Sequence, residues 1–178
     1  VSEDGHVLTN YHVISQFALE PERYRLRYAT TEGQEGQLEL LDFDVRRDLA
    51  LLRAPPGALK GRGALSFRPQ NLPLSKGDRI YSMGNPHDVA FSVVEGNYNG
   101  LVERSFDSLI YYSGSINSGM SGGPVVDEDG QVVGVNVSAM FFAQQMSFLV
   151  PGEFAHALFD RSRNAKPMNS PAWPRLRE

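Results

Sequence analysis

Residues 119–126 (GMSGGPVV) hold a serine between glycines and run directly into β-branched residues. Glycine lets backbone N–H groups turn inward and lets a substrate carbonyl approach closely, so this stretch predicts an exposed nucleophile, Ser121, on a tight turn. The N–H groups of Gly119 and Ser121 would then face an oxyanion, and each such donor is often worth about 3–4 kcal/mol. Taken alone, a glycine–serine loop is more often a plain turn, so a base and an acid are needed to decide.

The residues after Ser121 decide the fold class. The same letters fit the G-x-S-x-G elbow of α/β-hydrolases, which requires a strand before the serine and a helix after it. Here Pro124 and two valines follow, then a turn at 127–130 (DEDG), then an apolar run at 131–137. Two β-compatible runs around a short turn predict a hairpin. The elbow interpretation therefore fails, and an esterase or other serine hydrolase is disfavoured with it.

The rest of the chain has the same character, with short strand-like runs between Gly/Pro turns. The predicted strands are 6–9, 24–30, 37–45, 49–52, 79–83, 89–94, 100–103, 109–112, 125–126, 131–137 and 146–150. Only residues 153–161 have the spacing of a helix. Such a pattern indicates a sandwich or barrel. Residues 66–77, which carry Pro69 and Pro73, are typical of a linker and predict two β-modules.

Composition excludes several functions. The net charge is −4 and no Lys/Arg run exceeds a pair, so we expect no nucleic-acid binding. The absence of cysteine excludes disulfides, thiolate catalysis and Cys-based zinc sites. No apolar stretch approaches the roughly 18 residues that span a bilayer, so we expect no membrane insertion in this segment. The sequence opens on a strand end and a turn, and we expect a first strand before Val1.

Among the four histidines, His12 is the best candidate for a base. It follows residues 8–11 (LTNY) and is predicted to lie at the end of an apolar strand, where a neutral imidazole could accept the serine proton. From its surroundings alone, a packed or capping histidine is about equally plausible. His6, His87 and His156 are interpreted as solvated or packed residues.

Asp48 is the best candidate for the acid that would orient the base. It opens the buried run 49–52 (LALL), and a carboxylate at the edge of such a strand is costly without a partner. The two arginines directly before it offer an ordinary partner. Asp42 and Asp44 are competing acids, but we expect them to be more exposed than Asp48.

The order His, Asp, Ser is that of the chymotrypsin triad. Three blocks, 9–14 (TNYHVI), 47–52 (RDLALL) and 118–124 (SGMSGGP), resemble the signatures of trypsin-like serine proteases, and those of the HtrA (Deg) branch most. Residues 83–86 (MGNP), 134–136 (GVN) and 146–151 (MSFLVP) are similar to further HtrA segments. The resemblance extends from residue 1 to about residue 161.

This resemblance implies an all-β fold of two six-stranded antiparallel β-barrels with a short C-terminal helix. Residues 1–70 would form the N-terminal barrel, lacking its first strand and carrying His12 and Asp48. Residues 71–151 would form the C-terminal barrel with Ser121, and 152–178 the helix and a proline-containing tail.

The implied chemistry is serine endopeptidase catalysis through an acyl-enzyme, without metal or cofactor. His12 would be the general base, Asp48 its orienting acid and Ser121 the nucleophile, with Gly119 and Ser121 as oxyanion-hole donors. Met120 stands where HtrA members usually have Asn. That departure keeps open an alternative, a protease-fold regulatory or binding module with a collapsed oxyanion loop.

The resemblance also places a specificity pocket. Its walls would be Ser115, Ile116, Val137, Ser138 and Ala139. No acid stands at the base of this pocket, which argues against Lys or Arg at P1 and favours small or medium aliphatic side chains. Polypeptides are the implied substrates. The family also implies homo-oligomerisation through a segment before Val1 and favours a periplasmic or other extracytoplasmic location.

Overall fold

The computed structural model describes residues 2, 4–86, 90–104, 107–137 and 147–168, and this part of the chain contains eleven strands and two helices. In chain order they are β1 His6–Thr9, α1 Tyr11–Leu19, β2 Arg27–Ala29, β3 Glu35–Gln37, β4 Glu39–Asp44, β5 Leu49–Arg53, β6 Arg79–Gly84, β7 Ser92–Arg104, β8 Asp107–Tyr112, β9 Pro124–Val126, β10 Val132–Val137, β11 Ser147–Pro151 and α2 Gly152–Ser162. The predicted predominance of strands is confirmed, but the fold is not all-β apart from its C-terminal helix, because a second helix is present.

The C-terminal half forms a closed antiparallel barrel in the order β10-β11-β8-β7-β6-β9. Its interior is filled by apolar side chains that alternate along the strands, Ile80, Ile110, Tyr112, Val125, Val133 and Leu149. Residues 89–94 and 100–103 were predicted as separate strands, but the described part of this region is one strand, β7. A bulge between Tyr98 and Leu101 and a left-handed Gly100 (φ 104°) bend the strand without ending it.

The N-terminal half does not close into a second barrel within the described residues. It forms a three-stranded sheet, β1-β5-β4, and a separate two-stranded hairpin, β2-β3. Strand β5 lies in the centre of the larger sheet and is buried on both faces, which is why its sequence is continuously apolar. The prediction of two closed six-stranded barrels therefore holds for one, because five short strands in two sheets do not make a continuous ladder.

The predicted helix at 153–161 is present as α2, but the sequence predicted no other helix, and α1 was therefore missed. The helix starts directly after β1 and buries Ile14 and Phe17 against Ala50 and Leu52 of β5. It is the spacing of these apolar residues, three apart along the helix, that packs α1 onto the sheet. His12 therefore lies in the first turn of a helix and not at a strand end.

Helix α2 joins the two halves of the molecule. Its buried residues Ala155 and Leu158 share one apolar cluster with Leu49 and Leu51 of β5 and with Val135 and Val150 of the barrel. Its last turn also reaches the N-terminal sheet through polar contacts, because Arg161 Nε and Ser162 Oγ both donate to Asp42 Oδ2. Helix α2 therefore fixes the sheet and the barrel to each other.

Candidate active site

The carboxylate of Asp48 binds His12 at two points. The His12 backbone N–H donates to Oδ1 at 2.8 Å, and Nδ1 lies 2.6 Å from Oδ2. A carboxylate can only accept, so the second bond requires the imidazole proton on Nδ1 and leaves Nε2 as an acceptor. The side chains are partly exposed, 47% for His12 and 27% for Asp48, so Nε2 remains within reach of solvent or a ligand.

Asp48 itself has an uncommon backbone conformation. It stands just before β5 with φ 53°, the one non-glycine residue with positive φ in the described ranges. Its N–H donates to Val45 O at 3.3 Å, and its C=O accepts a hydrogen bond of 2.9 Å from Nδ2 of Asn10. Asn10 is fully buried and directly precedes α1. Sequence analysis missed this contact.

The two competing acids are engaged elsewhere. Asp42 accepts from Arg161 and Ser162 of α2, and Asp44 accepts from the backbone and side chain of Arg47. Their side chains are 23% and 16% exposed, less than that of Asp48. The expectation that they are more exposed was wrong. Their partners, and not their exposure, distinguish them from Asp48.

The loop carrying Ser121 lies against the start of α1. Gly122 has φ 79°, and a Cβ built on it would lie 2.3 Å from Thr9 Oγ1 and 3.1 Å from Asn10 N. The loop therefore approaches the residues just before His12 more closely than any side chain at 122 would allow. Within the described ranges, Ser121 Oγ makes no hydrogen bond, to His12 or to any other group. Hydrogen bonds of this kind often tighten only when substrate binds.

The backbone donors of this loop divide into two sets. The N–H groups of Met120, Gly122 and Gly123 donate to carbonyl oxygens at 3.0–3.1 Å. Those of Gly119 and Ser121 have no acceptor in the part of the chain that is described. Gly119 itself has a left-handed backbone conformation, with φ 92°. The two N–H groups predicted as oxyanion donors are thus available to bind an acceptor.

Met120 fastens the loop to the barrel. Its side chain is fully buried, and its Sδ accepts the Asn117 N–H at 3.5 Å while its own N–H donates to Asn117 O at 3.1 Å. A Cβ on Gly84 of β6 would lie 2.8 Å from Met120 Cα. Methionine fills irregular space well because its chain is unbranched and polarisable. Here the residue serves as an apolar anchor under the loop.

Three of the five predicted pocket residues are described. Ser115 is exposed, while Ile116 is partly buried and packs against the barrel core. Val137 ends β10 opposite Phe148. Ser138 and Ala139 lie outside the described residues. Ser147 of β11 was missed: it is buried, and its Oγ accepts the Ile116 N–H at 3.1 Å. A lone polar residue in the apolar run 147–150 was the available signal.

The other histidines have ordinary surroundings where they are described. His6 bonds Ser2 Oγ and Arg163 O, and His156 stacks on Phe67 and lies 3.3 Å from Asp160. His87 is outside the described residues. No group of three or more His, Asp or Glu able to hold a metal occurs in the described ranges. None of the helices found there is long and apolar enough to cross a membrane.

Comparison with known proteins agrees with this geometry. Residues 1–135 match the family model of the trypsin-like peptidase domain. Serine protease HTRA1 of Xenopus laevis is 28% identical over 173 residues, 92% of this chain and 35% of the relative. A probable periplasmic serine endoprotease DegP-like of Chlamydia muridarum is 30% identical over 169 residues, 90% of this chain and 32% of the relative.

Solved structures give the same result. An HtrA-type protease, AlgW with decapeptide, superposes with a TM-score of 0.77 at 27% identity, covering 90% of this chain and 49% of that one. The serine endoprotease from Yersinia pestis gives a TM-score of 0.74 at 25% identity, covering 90% and 54%. The chain spans about a third of the length of the curated relatives it matches. It belongs to the trypsin-like peptidase domain family, in the HtrA branch.

Proposed function

We propose that this chain is the catalytic domain of a serine endopeptidase that cleaves polypeptides through an acyl-enzyme. The observation that carries the proposal is the two-point hydrogen bonding of His12 to Asp48. This arrangement fixes one imidazole tautomer and points Nε2 away from the carboxylate, as a general base requires. The Ser121 loop, seated against Thr9 and Asn10, supplies a nucleophile on the same side of the molecule.

In the proposed reaction, Ser121 Oγ attacks the scissile carbonyl while His12 Nε2 takes the hydroxyl proton. Asp48 stabilises the imidazolium that forms. The N–H groups of Gly119 and Ser121 bind the oxyanion, and His12 then gives the proton to the departing amine. A water molecule, activated in turn by His12, hydrolyses the acyl-Ser121 ester and restores the hydroxyl. The available N–H groups support this loop arrangement over a collapsed one.

The residues predicted to line the pocket indicate the substrate class. Ile116, Val137 and the uncharged Ser115 favour small or medium aliphatic side chains at P1, because a buried Lys or Arg would lack its counter-charge. Residues 1–70 and 71–151 would be the two lobes of the protease fold, with 152–178 as a C-terminal helix and proline-containing tail. The DegP-like relatives are named periplasmic, and we extend an extracytoplasmic location and homo-oligomerisation to the protein that carries this domain.

Labelling with a fluorophosphonate probe tests the proposal. The folded protein should be labelled at one site, and Ser121→Ala should abolish labelling while leaving the thermal unfolding temperature nearly unchanged. His12→Ala should slow labelling strongly, because the serine then lacks its base. A folded protein that is not labelled would overturn the proposal and would favour the regulatory or binding module.

A further inference from the structure

Asn10 occupies the N-cap position of α1 without capping the helix. Asparagine at this position ordinarily accepts a hydrogen bond from the second or third backbone N–H of its own helix. Asn10 makes no such bond, although its backbone is in the extended conformation of an N-cap (φ −81°, ψ 151°). Instead, the His12 N–H, the second of the helix, donates to Asp48 Oδ1. Asp48 therefore caps α1 from another part of the chain.

The side-chain amide of Asn10 donates a hydrogen bond to Asp48. Its Nδ2 donates to the Asp48 carbonyl at 2.9 Å. Its Oδ1 is buried and makes no hydrogen bond with any described group. The bond to Asp48 is thus the one polar contact that the side chain makes in the described structure. A fully buried amide with an unpaired acceptor is a poor choice for stability alone.

The Asp48 backbone needs such support. A left-handed conformation is less favourable for aspartate than for glycine, although aspartate adopts it more readily than most residues, and it persists where the surroundings hold it. Here φ is 53°, and the N–H has a bond to Val45 O of 3.3 Å. The shorter bond on the backbone of Asp48 is the one from Asn10. Rotation of the Asp48 backbone would move the Asp48 carboxylate away from His12, because the side chain is attached to the same Cα.

We propose that Asn10 is a positioning residue that holds Asp48 in its left-handed conformation and so directs both carboxylate oxygens onto His12. Its effect on turnover rests on the proposed function, whereas its effect on the His12–Asp48 hydrogen bond does not. Asn10 contributes through Asp48 and does not itself contact the reacting atoms.

The sharpest test is Asn10→Leu. The new side chain has nearly the same size and has no donor for the Asp48 carbonyl. Asn10→Ser, which can cap α1 but is too short to reach the Asp48 carbonyl, is the second variant. Ser162→Ala is the matched control, because Ser162 is also buried and its hydroxyl donates to Asp42, which makes no hydrogen bond to His12, Asp48 or the Ser121 loop in the described residues.

Two measurements separate positioning from folding. The first is the far-downfield ¹H resonance of the His12 Nδ1 proton, which reports the bond to Asp48 without any substrate. The second is kcat and KM on a peptide substrate. We expect both Asn10 variants to lose or shift the resonance and to lose about 10²-fold in kcat with KM nearly unchanged, as a misplaced catalytic group does. Ser162→Ala should keep the resonance and kcat despite a lower unfolding temperature.

Each outcome decides a separate point. If folded Asn10 variants keep the wild-type resonance and kcat, the positioning role is wrong. A wild-type protein without the downfield resonance would overturn it as well. A wild-type protein that shows the resonance, loses it on Asn10→Leu and has no peptidase activity would retain the positioning role and overturn the proposed function.

Discussion

Asp48 holds His12 at a backbone atom and at a ring atom, 2.8 Å from the main-chain nitrogen and 2.6 Å from Nδ1. The backbone bond fixes where the first turn of α1 begins, and the ring bond fixes the imidazole relative to that turn. A single carboxylate thus couples the helix position to the ring orientation. The partial positive charge at the N-terminus of α1 also stabilises the negatively charged carboxylate of Asp48, since the first N–H groups of the helix are otherwise unpaired.

Replacing this acid should be far more harmful to catalysis than to folding. Asp48→Asn keeps the shape but presents an amide that favours the other imidazole tautomer, and we expect kcat to fall about 10⁴-fold. Steady-state kinetics on a peptide substrate measures the loss. Asp44→Asn is the control, because Asp44 pairs with Arg47 and should leave kcat unchanged. Equal losses in both variants would contradict the assignment of Asp48.

Gly122 should tolerate no side chain. In Gly122→Ala, the new Cβ would meet Thr9 Oγ1 at 2.3 Å, so the Ser121 loop must shift. We expect a loss of about 1–3 kcal/mol in the free energy of unfolding and slower fluorophosphonate labelling. Gly130→Ala is a matched control, because Gly130 has a similar φ of 76° but no atom within 4 Å of the point that a Cβ would occupy. Labelling that slows equally in both would point to backbone strain and not to the contact with Thr9.

An apolar side chain of similar volume should replace Met120 with little loss of stability. Met120→Leu nearly conserves volume and should cost less than about 1.5 kcal/mol in the free energy of unfolding. Met120→Ala leaves a cavity under the loop and should cost about 2–5 kcal/mol. Urea denaturation measures both values, and the labelling rate of Ser121 should fall with Met120→Ala. A tolerant Met120→Ala would show that the buried side chain does not anchor the loop.

Tyr112 should make stability fall at high pH. Burial raises the pKa of this phenol to about 12, and Glu95 adds to the rise. Between about pH 10 and 12 the unfolded chain releases the phenolic proton while the folded chain retains it, so the free energy of unfolding decreases as pH rises. Tyr112→Phe should remove this part of the slope in urea denaturation, at a cost of about 1 kcal/mol for the lost bond to Val94 O. An unchanged slope would contradict the burial argument.

The specificity pocket can be tested with peptides that differ at P1 alone. In the proposed pocket Ile116 would form part of one wall, and the described residues predicted to line it, Ser115, Ile116 and Val137, carry no acid to pair with a cationic side chain. We expect kcat/KM to be highest for small or medium aliphatic residues. A dominant preference for Arg or Lys would overturn this pocket assignment.

The sequence was most informative where chemistry depends on residue type. The short strand-like runs between Gly/Pro turns predicted a sandwich or barrel, and the family resemblance implied the six-stranded barrel that closes in the C-terminal half. The family was identified from three short blocks and is confirmed by the match over residues 1–135. The order His, Asp, Ser predicted His12 and Asp48 as partners, and the structure brings these two together.

What the sequence did not predict depends on tertiary contacts. Helix α1 is short, and its β-branched residues favour a strand locally. A signal for the helix was nevertheless present, since Asn10 precedes Tyr11, Ile14 and Phe17 at helical spacing. The left-handed backbone of Asp48 had no signal, because its support comes from Asn10, 38 positions away. Likewise, Asp42 is separated from its partners by more than a hundred residues.

The position of α2 has a consequence for any shortened form of this protein. The helix packs between the sheet that carries Asp48 and the barrel that carries Ser121, and its apolar face contacts both. A chain cut before Gly152 would therefore retain every catalytic side chain yet leave the two lobes free to drift apart. In such a fragment the loss of activity would come from misalignment, with no chemical group missing.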